Sequence, residues 1–573
     1  MAVTQMRTAT RYLMMTEKTK TKMSVVFAGI ANPCGQDNQN GNETHARAFK
    51  PLISFGTSIT LCSQGLQIPA DKFCPTAKNI YLCVLLASCN QPKPKMLILL
   101  TITVYFAILF TISRITARKA DNETFFRAGR KSKWYIVAFG MIGASVSGVT
   151  FVSVPGMILL SDMTYMQTCL GFILGYIIVA FVLLPVYYRL NLTTIYSYLK
   201  NRLGKRAYKT GATFFMLSDL TGTAVKFYVV CIIMQHFVLD ACGIPFWITV
   251  PIMMLLIWLY TKEGGIRTLV WTDFLQTLCM IGALVCIMIG VADKLGLGMK
   301  ETVEAVTSDA HARIFVFDDW LSRQNFWKQF VSGAFIVVVM TGLNQNIMQK
   351  NLTCKTLREA QKDMCTYGIA FVPVNLLLLS LGVLLTILSQ HEGISLPDNP
   401  DQLLVMFAAT GQLGNTTTVL FILGLTAASF STVDSSLTAL TTSYCVDIRE
   451  QPENEKLRRV AHFFMALLFA LFIILFDTIN STSAIDAVYT LCSYTYGPLL
   501  GLFAFGLLTK RKADDRHVPY IAIASPLLCL AIDYTTKTWS GYVFGYEMLL
   551  LNGLLTFVGL ALSSLRKTKK CHA

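Results

Sequence analysis

Long apolar runs recur along nearly the whole of this chain, and they restrict its fold more than any other feature of the sequence. Hydrophobic residues occupy 54% of the 573 positions and charged residues only 14%, and the mean hydropathy is +0.52. The charged residues stand in the gaps between the runs. A run of roughly 20 apolar residues is long enough to cross a bilayer as a helix. The pattern therefore predicts a helical membrane protein with many spans, in contact with the lipid bilayer.

The distribution of the basic residues and cysteines excludes several other classes of protein. The formal net charge is +16, but Lys and Arg cluster in short loops, which favours loops on the cytoplasmic side of a membrane over nucleic-acid binding. The sixteen Cys are scattered singly, which argues against a disulfide framework or a zinc site. The sequence has no recognisable nucleophile–base pair or phosphate-binding loop, and we predict that the protein is not an enzyme.

The first 95 residues differ in character from the rest of the chain. Residues 1–95 are polar, of mixed composition, and without a sustained helical or strand period, whereas an apolar run begins directly after Met96. We predict a membrane domain over 96–573. Residues 1–95 are then an N-terminal extension that is disordered or wrongly annotated, and a genuine targeting tail is the alternative.

From Met96 onward the apolar runs predict thirteen membrane spans. Their ranges are 97–115, 134–160, 166–189, 208–238, 244–261, 266–292, 326–348, 364–389, 415–447, 458–477, 484–508, 518–534 and 546–565. The basic residues concentrate in alternate gaps, for example in 114–133, 189–209 and 510–512. The positive-inside rule then places the N-terminus of the first span outside and the C-terminus of the chain inside.

The second and seventh spans both contain residues that interrupt a helix. The second contains Val154-Pro155-Gly156, and a proline frees backbone carbonyls in the preceding turn. The seventh contains Gly333 and Gly342, followed by Asn344-Gln345-Asn346. The two spans are five apart, as expected for corresponding helices of two inverted five-helix repeats. Broken helices in matching positions indicate the binding site of a transporter.

The ninth span carries a dense stripe of hydroxyl groups around a carboxylate. Ser431, Thr432 and Ser435 lie near Asp434 on this span. The hydroxyls either join neighbouring helices by hydrogen bonds or bind Na⁺, a hard cation that prefers oxygen ligands. Asp434 favours the second interpretation, because a carboxylate in the membrane needs a cation nearby. Asp273, near the start of the sixth span, is a further carboxylate of this kind.

Four segments of the chain together resemble one family of transporters. Residues 264–276 (GGIRTLVWTDFLQ), 342–350 (GLNQNIMQK) and 431–435 (STVDS) are similar to motifs of the sodium/solute symporter family, and 493–501 (SYTYGPLLG) is similar to its tenth core helix. The resemblance covers residues 96–570. It implies a Na⁺-coupled symporter that imports a small polar solute, such as sialic acid, another carboxylate or a monosaccharide, by alternating access.

The resemblance also implies the fold and the cellular setting. The fold is all-α and leucine-transporter-like, with a leading helix at 97–115, inverted repeats at 134–292 and 326–508, and two trailing helices within 518–565. The implied protein is a monomer in the plasma membrane or bacterial inner membrane. A membrane sensor, or a Na⁺-independent channel or carrier of the same fold, is the alternative function.

The resemblance implies a main Na⁺ site where the second span breaks. Its ligands are the carbonyls of Gly143, Val146 and Ala428 and the hydroxyls of Ser431 and Thr432. A second Na⁺, bound in some members of the family, uses a carboxylate at the position of Asp273, with Ser431 and Ser435. The alternative is that Asp273 only pairs with Arg267 or another base.

The resemblance places the solute beside the main Na⁺ site. The residues implied to contact it are Ser145, Ser147, Thr150, Phe151, Lys226 and Gln345. Lys226 stands where relatives commonly carry Arg, and it keeps the positive charge but not the bidentate geometry of a guanidinium. The alternative is that Lys226 only pairs with Asp219.

Overall fold

The structure, a computed structural model, describes residues 58–61, 66–69, 93–118, 120–240, 243–320, 322–479, 484–539, 542, 544–545 and 547–571. The chain divides into two units, Met1–Cys89 and Asn90–Ala573. In the first unit, strands β1 (Ser58–Leu61) and β2 (Leu66–Pro69) pair antiparallel. The remainder of the predicted extension, up to residue 92, lies outside the described residues.

The second unit is built of helices throughout its described residues. They are α1 (Lys93–Thr116), α2 (Asn122–Arg127), α3 (Trp134–Ser145), α4 (Gly148–Gly156), α5 (Ile158–Ser161), α6 (Tyr165–Ile178), α7 (Leu184–Arg189), α8 (Ser197–Arg202), α9 (Lys205–Met234), α10 (Phe246–Thr261), α11 (Ile266–Leu295), α12 (Met299–Ser308), α13 (Phe326–Val337), α14 (Gln345–Asn351), α15 (Leu357–Glu392), α16 (Leu403–Ala408), α17 (Asn415–Ser443), α18 (Glu455–Ile479), α19 (Ala484–Leu508), α20 (Val518–Trp539) and α21 (Glu547–Cys571). Within the described part of this unit, four π-helical segments continue α6, α9, α13 and α17, namely Val179–Leu183, Gln235–Leu239, Val338–Gly342 and Tyr444–Ile448. Four 3₁₀ turns in the same residues cover Ala128–Arg130, Asp162–Thr164, Ala310–Ala312 and Pro400–Gln402.

The lengths and apolar character of these helices agree with a polytopic membrane protein. Among the described residues, 9 helices are long and apolar enough to cross a membrane, or up to 11 if each of two bent pairs is one span. Two shorter apolar stretches, Phe246–Thr261 (α10) and the Tyr494–Leu508 part of α19, fall within the predicted fifth and eleventh spans. The count of thirteen spans stays a prediction.

Helix α17 occupies the centre of the helical unit. It packs against α11, α9 and α3, and almost every residue from Thr417 to Ser443 is buried. Its many Ser, Thr, Ala and Gly residues are small, and small side chains let neighbouring helices approach closely. The hydroxyl stripe predicted from the sequence therefore lies in the core of the unit.

The second predicted span is broken, but not at its proline. Helices α3 and α4 meet at an angle of 60°, and the residues between them are Val146 and Ser147. Ser147 begins the second half, where its hydroxyl accepts a hydrogen bond from the Thr150 N–H at 3.3 Å. Pro155 lies within α4, near its C-terminal end. The expectation that Pro155 interrupts the span was therefore wrong, since a serine N-cap starts a new helix eight residues earlier. The break that the family resemblance implies, at Gly143 and Val146, agrees with the observed break at Val146 and Ser147.

The seventh predicted span is broken as well. The helical run Phe326–Gly342 and helix α14 meet at 72°. Asn344 caps α14 by accepting a hydrogen bond from the Asn346 N–H at 2.8 Å. The break therefore follows Gly342, where the glycine and asparagine residues predicted it.

Two glycines hold the first broken helix against α11. An added Cβ at Gly140 would lie 3.0 Å from the Asp273 Cβ, and one at Gly143 would lie 3.0 Å from the Thr277 Cα and closer still to its hydroxyl. That hydroxyl accepts a hydrogen bond from the Gly143 N–H at 3.1 Å. Because the backbones approach this closely, the position of α3 depends on the absence of a side chain at both glycines.

Gly143→Ala is expected to destabilise the protein by about 1–3 kcal/mol, the range for forcing an extra methyl group into a packed interior. The measurement is the thermal melting of the purified protein in detergent. Gly282→Ala is the matched control, because an added Cβ at Gly282 of α11 meets nothing within 4 Å. Equal melting temperatures for the two variants would contradict the tight packing of α3 on α11.

A cluster of three lysines surrounds one carboxylate beyond the end of α17. Glu450 lies 3.0 Å from Lys200, 3.1 Å from Lys205 and 3.5 Å from Lys209. Hydrogen bonds from Lys200 and Lys205 lower the pKa of Glu450 to about 2. The cluster joins α8 and the start of α9 to the loop after α17.

Candidate functional site

A polar cavity of about 150 Å³ lies where the two broken helices face α9 and α15. Residues on both sides of the α3–α4 break line it, and so do residues around the break before α14. Among its polar lining residues are Ser145, Thr150, Asp219, Lys226, Asn344 and Tyr367. Irregular backbone is tolerated at membrane depth where it lines a cavity or is buried in protein, which explains why both breaks occur here.

Four of the six predicted solute-contacting residues line this cavity: Ser145, Ser147, Thr150 and Lys226. The Ser145 hydroxyl is hydrogen-bonded to the Tyr367 hydroxyl, so the serine faces α15. The hydroxyls of Ser147 and Thr150 lie 3.1 Å apart at the start of α4.

The other two predicted residues lie elsewhere. Phe151 is fully buried and its ring stacks on Phe421, with 6.1 Å between the ring centroids. The Gln345 amide is also buried, and it accepts a hydrogen bond from the Ile195 N–H at 2.9 Å and donates one to the Thr193 carbonyl at 3.1 Å. Both side chains therefore hold helices and loops together, and we do not assign them to the solute.

Thr432, one of the residues predicted to bind the main Na⁺, lies against the break of the second span. The Thr432 hydroxyl lies 3.1 Å from the Ala428 carbonyl and 3.4 Å from the Ala144 carbonyl, two positions before Val146. Val146 is the first non-helical residue after α3, and it is buried, as are Ala428 and Ser431. Hydroxyls and freed carbonyls supply neutral oxygens, the ligands that a hard monovalent cation accepts. Thr432 also lines the polar cavity.

Asp273 pairs with a lysine that the sequence analysis did not single out. Its Oδ2 lies 2.7 Å from the Nζ of Lys350 on α14, and both side chains are almost completely buried. Its Oδ1 accepts a hydrogen bond from the Ser431 hydroxyl at 2.6 Å. Arg267, the base named as its alternative partner, is exposed. Both oxygens of Asp273 are therefore occupied by protein groups.

Ser435, the other residue predicted for a second Na⁺, serves a different carboxylate. Its hydroxyl donates to Asp434 Oδ1 at 3.1 Å, and the Tyr260 hydroxyl donates to Asp434 Oδ2 at 2.7 Å. Asp434, Asp273 and Lys350 are close enough to interact electrostatically. The core of the unit thus contains two carboxylates and one ammonium group, all buried.

Asp219 is the charged residue of the cavity whose role the sequence analysis missed. It is only 4% exposed, and the Ser436 hydroxyl donates a hydrogen bond to it. The same hydroxyl lies 2.9 Å from that of Thr223, and the side chains of Asn344 and Asn346 face the carboxylate. The predicted contact with Lys226 is electrostatic only, since the described ion pairs do not include these two residues. A carboxylate among apolar runs was the available signal in the sequence.

Known proteins with similar sequences are sodium-coupled transporters. The model of the sodium:solute symporter family matches residues 125–515. The sodium/sialic acid symporter SiaT of Proteus mirabilis (strain HI4320) is 25% identical over 456 residues, which are 75% of this chain and 87% of that protein. The sodium-coupled monocarboxylate transporter 2 of Bos taurus is 26% identical over 432 residues, which are 71% of this chain and 68% of the relative.

Solved structures with the same fold are also transporters. A Na⁺-coupled sialic acid symporter in a substrate-bound, outward-open state has a TM-score of 0.71 at 20% sequence identity, over 82% of this chain and 97% of its own. A nucleobase-cation-symport-1 family transporter in a closed conformation has a TM-score of 0.52 at 15% identity, over 79% of this chain and 95% of its own. At these identities the likeness establishes the fold. Because the family model spans more than half of the chain, this protein belongs to the sodium:solute symporter family and is a multi-pass membrane protein that couples the import of a solute to Na⁺.

Proposed function

We propose that this protein is a plasma-membrane symporter that binds one Na⁺ beside a small organic solute carrying a carboxylate. The observation that carries the proposal is the position of Thr432, which lies beside the Ala144 and Ala428 carbonyls and also lines the polar cavity. An ion held there touches the wall of the solute site, and binding of one is thereby linked to binding of the other.

The Na⁺ ligands that we assign are the Gly143, Val146 and Ala428 carbonyls with the Ser431 and Thr432 hydroxyls. We assign no second Na⁺ to Asp273, because the ammonium group of Lys350 already lies 2.7 Å from its Oδ2. A buried carboxylate that has such a partner does not need a metal ion to compensate its charge.

The solute residues that we assign are Ser145, Ser147, Thr150 and Lys226, and we add Asp219 and Asn344 from the cavity wall. The half-buried Lys226 provides a positive charge for a carboxylate. Support comes from the relatives, which are named as symporters of sialic acid and of monocarboxylates.

The membrane topology that we propose has thirteen spans in two inverted repeats, with the N-terminus of the first span outside and the C-terminus inside. Contacts among the basic loops support it. Arg127 donates a hydrogen bond to the Asn191 carbonyl at 2.7 Å, and the Asp515 carboxylate accepts one from the Ala207 N–H at 2.8 Å. Together with the lysine cluster at Glu450, these contacts bring four loops to one face, as cytoplasmic loops require.

The mechanism that we propose is alternating access around the two helix breaks. Na⁺ entering from outside draws the Thr432 hydroxyl and the carbonyls at the α3 break towards it, and this stabilises the arrangement of Ser145 and Ser147 that the solute contacts. Linkage then requires each ligand to raise the affinity of the other by the same factor, typically about 5–150-fold. Closure with both ligands bound, followed by release inside, completes the cycle.

Uptake by proteoliposomes is expected to require an inward Na⁺ gradient, because the ion completes the solute site. The measurement is the uptake of labelled sialic acid, monosaccharides, monocarboxylates and amino acids, each with Na⁺ and with K⁺ outside. We expect one class of carboxylate to be taken up and its half-saturating concentration to fall as Na⁺ rises. Equal uptake in Na⁺ and K⁺ would indicate a Na⁺-independent carrier or channel and contradict the proposal.

A further inference from the structure

Two opposite charges stand two helical turns apart on the same wall of the cavity. Asp219 and Lys226 both line the cavity, and both belong to α9. Seven residues correspond to almost two complete turns of an α-helix, so the two side chains share one face, with a separation of about 10.5 Å along the axis. The cavity therefore has a negative and a positive end on a single rigid element.

The carboxyl group at one end of the cavity has only neutral hydrogen-bonding neighbours. Asp219 receives a hydrogen bond from Ser436 and faces the amides of Asn344 and Asn346. All three partners are neutral, and among the described residues Asp219 has no ion-pair partner. A carboxylate that is buried without a cation costs several kcal/mol, and this cost is removed when a cation enters the cavity.

The ammonium end is equally without a protein partner. Lys226 forms no ion pair or hydrogen bond with the residues that the structure describes, and it interacts with Asp219 only at long range. By contrast, the lysine buried in the core, Lys350, lies 2.7 Å from its own carboxylate. Lys226 is therefore available to an anionic group in the cavity.

We infer that the solute carries both a cationic group and an anionic group, and that it lies along α9 with the cationic group at Asp219 and the anionic group at Lys226. This rests on the proposed function, since it concerns the solute of the same symporter. A zwitterion pairs its cationic group with Asp219 and its anionic group with Lys226, so the occupied cavity contains no unpaired charge. A plain carboxylate satisfies Lys226 and leaves Asp219 buried and unpaired.

The binding test is the thermal melting of the purified full chain in Na⁺ with a ladder of zwitterions: glycine, β-alanine, 4-aminobutyrate and 6-aminohexanoate. Each is compared with the carboxylate that lacks its amino group and with the amide that lacks its negative charge. We expect one member of the ladder to stabilise the protein with an apparent affinity at least about tenfold better than both of its truncated analogues, the ratio for one lost charge-assisted hydrogen bond.

Two variants test which residue binds the cationic group of the solute and which binds the anionic group. In Asp219→Asn, the zwitterion is expected to bind no better than the carboxylate that lacks its amino group. In Lys226→Gln, the zwitterion is expected to bind no better than the amide that lacks its negative charge. Lys294→Gln, which alters a partly exposed pair with Glu392, is the control that leaves both preferences intact. If Asp219→Asn abolishes stabilisation by Na⁺ but keeps the amino preference, Asp219 is an ion ligand and the inference is overturned.

Uptake measured in parallel separates this inference from the proposed function. One outcome is Na⁺-driven uptake of sialic acid or a monocarboxylate, without uptake or binding of any zwitterion. This outcome overturns the inference but agrees with the proposed symport function. Uptake of a zwitterion without Na⁺ dependence contradicts the proposed function and supports the inference. The wild-type comparison decides between these outcomes even if a variant fails to fold.

Discussion

Lys350→Met is expected to lower the stability of the protein by about 3–5 kcal/mol, because it leaves Asp273 buried without a counter-charge. The ammonium group of Lys350 lies 2.7 Å from Asp273, and both side chains are excluded from water. Asp434, a second buried carboxylate, lies close enough to both to interact electrostatically. The measurement is the thermal melting of the purified variant beside the wild type in detergent.

Two controls separate the effect of losing the ion pair from the effect of losing side-chain packing. Lys350→Met combined with Asp273→Asn removes both charges and is expected to recover most of the stability, whereas Lys294→Met breaks a partly exposed pair and is expected to cost no more than about 1 kcal/mol. If Lys350→Met alone melts at the wild-type temperature, the ion pair is not an essential part of the core.

The same variant tests the assignment of a single Na⁺. With the ammonium group removed, Asp273 requires another cation, and Na⁺ is expected to restabilise Lys350→Met more than it stabilises the wild type. Lys350→Arg keeps a positive charge and is expected to respond to Na⁺ as the wild type does. An equal response from all three proteins would contradict the view that Lys350 takes the place of a second ion at Asp273.

The positions of the helices could be predicted from the sequence because composition alone identifies a segment that prefers lipid. The break before α14 could also be predicted, since Gly342 and Asn344 lie close together in the sequence and are residue types that interrupt or cap a helix. The break after α3 could be placed only from the family resemblance and not from the local residues, because it depends on a serine N-cap at Ser147 and on the close approach of Gly143 to Thr277. Local sequence makes Pro155 the stronger signal, but proline is tolerated near the end of α4.

Which side chains face the cavity depends on the phase of each helix. Because α4 starts anew at Ser147, its phase is independent of α3, and Phe151 turns towards Phe421 instead of the cavity. The pairing of Asp273 with Lys350 joins residues 77 positions apart, as counted from the sequence. No pattern of spacing reveals such a contact, which exists only because α14 packs near α11 and α17.

The contrast between the two ends of the cavity, Asp219 and Lys226, also depends on contacts between helices. Sequence analysis named Lys226 for its charge and considered Asp219 only as its partner. On a helix the two residues are too far apart for a direct ion pair, and the structure adds the neutral neighbours Ser436, Asn344 and Asn346 from two other helices. The cavity is polar at both ends because three separate elements contribute to it.

Ser431→Ala combined with Thr432→Ala is expected to raise the Na⁺ concentration that half-saturates uptake by at least about 100-fold. Each lost oxygen ligand to a buried cation is comparable with a lost charge-assisted hydrogen bond of about 1.5–3 kcal/mol. Thr432 is the more informative of the two, because its hydroxyl lies beside the Ala428 and Ala144 carbonyls. Ser431 also donates to Asp273, so its removal carries a stability cost of its own.

Single variants separate these two effects. Thr432→Ala is expected to weaken Na⁺ binding with little change in melting temperature without Na⁺, and Thr432→Ser is expected to retain the wild-type response. Thr418→Ala removes a hydroxyl that bonds only within the first turn of the same helix, and it serves as the matched control. Stabilisation by Na⁺ at a range of concentrations gives the affinity directly, independently of the solute. If Thr432→Ala and Thr418→Ala respond to Na⁺ alike, the ion binds elsewhere, and the link between ion and cavity through Thr432 is lost with it.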